Sequence, residues 1–373
     1  MERVGLSMSP ERALYLGSKD RVLVTGNCPG SNTANLQVHF QGDSSGNVKP
    51  KKMADLYVEG YCRSMELCQD LGSAKTFAAV ALSNAPSSSG SGGSNAITLC
   101  DVTTTPDAAS LSLGGGGDGV VYRGPGEVGC LAFSGELELL ALGCDSGHVV
   151  VLDLRSGREV ATLRADACGV GALLFRGGQL VSAGTGPQSP VKIWDLRARP
   201  GAEGGASLSL SQQLGEGGGG GGGAAGLSSG SGAVTALCAH PVHGDRLLAS
   251  GCVGGSVQLW DLRSGACRSF QPHSRRSTVT GLLVHPRRLD SLVSCATDGA
   301  VCCFSTTAAE GDAMEEEGEG QGQGRYPVLY REPSANRPRA PVASVCSVDC
   351  DNSSDQCMLL ASSSAGAYMR LAI

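Results

Sequence analysis

An all-β fold, a seven-bladed β-propeller, is predicted for this chain by a repeated segment, by the interval between its copies, and by the number of strand pairs its 373 residues can hold. Val191-Lys192-Ile193-Trp194-Asp195-Leu196-Arg197 and Val257-Gln258-Leu259-Trp260-Asp261-Leu262-Arg263 end alike and contain both tryptophans of the chain. A third copy, Val149 to Arg155, has Leu152 at the tryptophan position and keeps Asp153 and Arg155. Asp153 and Asp195 are 42 residues apart, and Asp261 and Ser305, which follows Val301-Cys302-Cys303-Phe304, are 44 apart. Blades of ~40–45 residues give such a period. The 66 residues between Asp195 and Asp261 contain the glycine tract Gly215–Gly226, which cannot pack a core, so the longer interval is read as a blade period carrying an insert.

Tryptophan followed by aspartate at this period is the mark of a WD40 repeat, and each blade then needs a small-residue strand, a turn and a strand ending at that pair. Seven passages have this shape. They pair Val22–Gly26 with Leu36–Phe40, Phe77–Ala81 with Ala96–Asp101, Leu139–Gly143 with Val149–Leu152, and Leu180–Gly184 with Val191–Trp194. The remaining three pair Leu247–Gly251 with Val257–Trp260, Leu292–Ala296 with Ala300–Phe304, and Leu359–Ser363 with Ala367–Leu371. A single domain over 1–373 is expected, carrying inserts at 86–96, 104–118, 199–232 and 306–340. Without those inserts about 280 residues remain, or seven blades of about 40. The last blade runs out of sequence one strand short, and Arg3–Met8 is expected to supply that strand and close the ring.

The Gly/Ser-rich and acidic inserts cannot bury enough apolar surface to offset chain entropy and are expected to be disordered. Glu315-Glu316-Glu317 and Glu319, within the acidic segment 312–319, are read as solvated, and Lys49-Pro50-Lys51-Lys52 as a solubilising loop rather than an import patch. With 41% hydrophobic and 17% charged residues the chain has material for a core. A net charge of −6 speaks against a phosphate-backbone binder, so no direct nucleic-acid partner is expected. No apolar run of 18 residues is present, so no membrane insertion is expected. Sixteen scattered cysteines and no signal-peptide core point to a reducing intracellular compartment, with most thiols serving as small core hydrophobes.

No active-site pattern is found, and no enzyme, cofactor or metal is expected. Cys346, Cys350 and Cys357 are the tightest cysteine cluster, but they lack a paired Cys or Cys/His spacing. His240-Pro241 and His285-Pro286 recur 45 residues apart, which marks them as turn residues; His39, His148, His243 and His273 have no partner at ligand spacing. Asp145 and Asp298 are read as tight-turn residues. There is no G-x-S-x-G, no phosphate loop and no H-E-x-x-H. The positions singled out are therefore structural, namely Asp153, Trp194, Asp195, Trp260 and Asp261, with Arg197 and Arg263 as candidate interaction residues.

The tail, Ser344–Asp349, Cys357–Ser362 and Ala365–Arg370, resembles the closing blade of the nucleoporin forty-three family. The order of Lys192-Ile193-Trp194-Asp195, His240-Pro241, Leu259–Arg263, His285-Pro286 and Asp298-Gly299 agrees with it, while Cys252-Val253-Gly254-Gly255 departs from that family's Gly-Gly-x-Asp-Gly. The resemblance implies a scaffold subunit of the Y-shaped outer-ring complex at the nuclear pore. Its partners would be helical nucleoporins and other propeller nucleoporins, and its role would be in pore assembly and the transport of RNA and protein. The alternative is a substrate receptor of a cullin-4 ubiquitin ligase. Trp194-Asp195-x-Arg197 and Trp260-Asp261-x-Arg263 fit the W-D-x-R of such receptors, although Val253 stands where that signature wants an acid.

Overall fold

A computed structural model describes residues 2–16, 21–41, 50–69, 76–85, 94–105, 108–114, 119–124, 126–186, 189–196, 208–210, 233–244, 246–285, 287–306, 327–331, 345–351, 358–363 and 366–372. Among them every regular element is a β-strand, and the strands form seven antiparallel sheets. Blade 1 comprises Ser9–Tyr15, Arg21–Asn27, Thr33–Phe40 and Lys51–Glu59; blade 2 is built on Tyr61–Gln69, Thr76–Ala85 and Ser94–Thr104. Blades 3 to 6 start at Val128–Ser134, Val170–Arg176, Val234–Ala239 and Val279–Val284. Blade 7 is Val345–Asp351, Met358–Ser363 and Ala367–Ala372, with Glu2–Gly5 as its fourth strand.

That fourth strand closes the ring as expected, in the register Arg3↔Met369 and Val4↔Tyr368. It ends at Gly5, after which Leu6 N–H still bonds the Gly366 carbonyl (2.7 Å) and Met8 is buried. The first strands of successive blades, called innermost below, lie against one another all the way round, the seventh against the first. Closure of this kind leaves few free sheet edges.

Three expected inserts contain strands. Ala109–Leu113 lies inside 104–118, Leu208–Leu210 inside 199–232 and Val328–Arg331 inside 306–340. Each is an outer strand pairing the preceding strand of its own blade. An outer strand borders the core on little of its surface, so it needs no strong apolar alternation and hides in low-complexity sequence. In blade 2 the outer position is shared. Ala109–Leu113 pairs the half Cys100–Thr104, and Val120–Gly124 pairs the half Asn95–Thr98. The acidic run 315–319 and Lys49 lie outside the described residues.

Small residues let each blade pack closely on the next. A Cβ on Gly143 would lie 2.9 Å from Val170 of the following blade, and one on Gly251 2.4 Å from Val279. The interiors are apolar, with Leu140, Leu180, Leu248 and Leu292 buried at one equivalent position of blades 3 to 6. The cysteines from Cys28 to Cys303 are free thiols, and Cys62, Cys100 and Cys302 are buried, their pKa values pushed up to about 12 by desolvation. Among the described residues no helix is long and apolar enough to cross a membrane.

Candidate functional site

All seven innermost strands break register near their start, after the second paired position in blades 1 and 2 and after the first in blades 3 to 7. The bulged residues are Glu11, Arg63, Gly129, Gly171, Thr235, Thr280 and Cys346. A bulge leaves its extra residue out of the ladder and turns the strand, so the sevenfold repetition sets a ring of residues around one mouth of the axis. Inside this ring a channel of about 630 Å³ is bounded by the innermost strands of blades 1 to 6. Four described members of the ring are glycine or threonine, and Thr235 donates to the Val279 carbonyl of the next blade (2.5 Å).

Charge gathers on one side. Arg12 donates to the Met65 carbonyl (2.8 Å) and pairs with Glu66 (3.0 Å), and Arg63 pairs with Glu127. Glu11 accepts from Asn27 (3.2 Å), and Asp349 of blade 7 accepts the Tyr15 N–H of blade 1 (2.8 Å). Burial raises the pKa of Glu66, with Arg12 opposing and Asp349 reinforcing; burial likewise raises Glu11 against its bond from Asn27. The channel wall is thus charged at blades 1 and 2 and neutral at blades 3 to 6.

Among the repeat positions, Trp194, Trp260, Asp153 and Asp261 make hydrogen bonds within their own blades. Trp194 Nε1 donates to Ser182 Oγ (2.8 Å) and Trp260 Nε1 to Ser250 Oγ (3.0 Å), inside otherwise apolar surroundings. In blade 3, where Leu152 replaces tryptophan, the serine position is Leu142, so donor and acceptor are lost together. Asp153 Oδ1 accepts the N–H groups of Arg155 (2.8 Å) and Ser156 (3.3 Å), and Gly157 closes the turn at φ 65°. Asp261 does the same for Arg263 (3.0 Å) and Ser264 (3.4 Å), with Gly265 at φ 72°. The bond from Arg246 (2.8 Å) draws the Asp261 carboxyl down to about 2. Asp195 ends its strand, and Arg197 lies outside the described residues. Arg263 is exposed on the turn that Asp261 caps.

The two His-Pro turns are one device. Nδ1 of His240 accepts the N–H groups of Val242 (3.2 Å) and His243 (2.9 Å), and Nδ1 of His285 accepts those of Arg287 (3.2 Å) and Arg288 (3.1 Å). His240 Nε2 also donates to the Leu289 carbonyl of the next blade (3.0 Å).

His273, without a partner at ligand spacing, has two partners distant in sequence. Its Nε2 lies 2.8 Å from Ser294 Oγ and its Nδ1 donates to Asp298 Oδ1 (3.2 Å). These partners are 21 and 25 residues away, beyond the short spacings of ligand motifs. Although the order Ser-His-Asp is that of a nucleophilic triad, Ser294 is 0% exposed and His273 4%, so Oγ meets no substrate in the folded blade. Asp298, whose pKa is raised by desolvation but lowered overall by His273 and the Ser274 N–H, ties the inter-blade crossing to the turn of blade 6. It is a turn residue, as its Asp-Gly sequence predicts, with an added tie.

Among the described residues no group of three His, Cys, Asp or Glu is placed to hold a metal ion. Of the predicted cysteine cluster, Cys357 lies outside the described residues, while Cys346 and Cys350 belong to one strand.

A family model described as "Nucleolar protein 10-like, N-terminal domain" matches residues 125–316. No curated protein matches the chain. One solved structure, titled "Crystal Structure of Mitotic Checkpoint Complex", aligns with a TM-score of 0.60 at 16% identity over 100% of this chain and 94% of that one. At that identity the likeness speaks for the fold alone, and 1442 solved chains match, so the fold does not select a function. A rigid ring that presents turns on two faces is a scaffold-type propeller.

Proposed function

Because the chain belongs to the family of nucleolar protein 10-like N-terminal domains, we propose that it is a non-enzymatic propeller holding proteins together in a nuclear assembly, and that this assembly is the Y-shaped outer ring of the nuclear pore. Family membership supports the nuclear scaffold in general. The finer reading is carried by the closing blade, Ser344–Arg370, whose sequence resembles the nucleoporin forty-three family. Helical nucleoporins are then the partners, pore assembly and transport of RNA and protein the role, and the pore at the nuclear envelope the location. Neither nucleic acid nor membrane is bound directly in this reading.

A second reading, a scaffold in a nucleolar assembly, is favoured by the family description over 125–316. The ligase-receptor reading has less support, because Asp261 of W-D-x-R is occupied in capping its own turn and pairing with Arg246. Affinity purification of the tagged chain with mass spectrometry, together with imaging of the same tag, separates the three. Outer-ring nucleoporins and a punctate nuclear rim are expected. A nucleolar signal with no nucleoporins would replace the pore by the nucleolus, and a cullin with its propeller adaptor would sink both.

A further inference from the structure

We draw no further inference here: the strongest candidate, the axial channel beside blades 1 and 2, has Arg12 and Arg63 paired with Glu66 and Glu127 and Glu11 bonded to Asn27, and nothing in the structure shows what would occupy it.

Discussion

Blades 3 to 6 and blades 7, 1 and 2 solve the same packing problem by different chemistry. In the first group the blade interior is a repeated apolar unit. Leu140, Leu180, Leu248 and Leu292 take one position, and the residue paired with each is leucine in blade 3, tryptophan in blades 4 and 5 and phenylalanine in blade 6. In the second group polar side chains enter the interior of blade 1, the channel and the seam. His39 sits where Trp260 sits in blade 5, Gln41 donates to the Tyr368 hydroxyl (2.6 Å), Glu11, Arg12 and Glu66 line the channel, and Asp349 accepts the Tyr15 N–H across the seam. Repeated units tolerate exchange because each contacts only its neighbours. The seam where the chain ends meet has to be specified once, and directional polar contacts specify it.

The largest expected difference is at the seam. Tyr368 is 0% exposed, packs edge-on against His39 with centroids 5.5 Å apart, and bonds Gln41, so Tyr368→Ala removes packing from blades 7 and 1 together. A loss of about 3–5 kcal/mol is expected in denaturant unfolding, as for other buried aromatics. Amide exchange should rise in Ser9–Tyr15 as well as in blade 7. If protection fell in blade 7 alone, the two chain ends would not share one closure and the contrast with blades 3 to 6 would fail.

A smaller effect separates the two groups by pH. Burial first, and Lys52 second, lower the pKa of His39 to about 4 from 6.5, so it stays neutral in the fold while the unfolded chain takes up a proton. Stability should therefore fall as pH drops from about 6.5 to about 4 and level off below, by up to about 3 kcal/mol. Glu11 and Glu66, raised by burial, act in the opposite sense, because the fold binds their protons first and gains stability as pH falls. Comparing the wild type with His39→Gln cancels the glutamates. The variant should lose less stability over this range, and identical pH profiles would remove His39 from the account.

The same contrast explains what could be read from the sequence. Blades 3 to 6 were legible because apolar spacing repeats at a fixed period, and ring closure was legible because the last blade lacked a strand. The outer strands 109–113, 208–210 and 328–331 were hidden, since a strand at the edge of a blade needs little apolar patterning. His273, Ser294 and Asp298 were hidden for another reason: they belong to separate strands and turns, and only the blade brings them within 3.2 Å. Positions set by periodicity were accessible, and positions set by convergence were not.

The finest test asks how interchangeable the repeated blades are. Ser182→Ala and Ser250→Ala each leave a buried indole N–H without an acceptor, a cost of about 1–3 kcal/mol. Because the two serines stand at one register position before tryptophans that are both 4% exposed, the losses should agree within about 0.5 kcal/mol. Ser294→Ala at the same position of blade 6 should behave differently. No tryptophan waits there, since Phe304 fills the place, and the partner left behind is His273, which keeps Asp298. A smaller loss is expected in urea unfolding, with exchange rising mainly at the crossing around Ser274. Equal losses at all three serines would mean that the blade, rather than the donor it faces, sets the energy of this position.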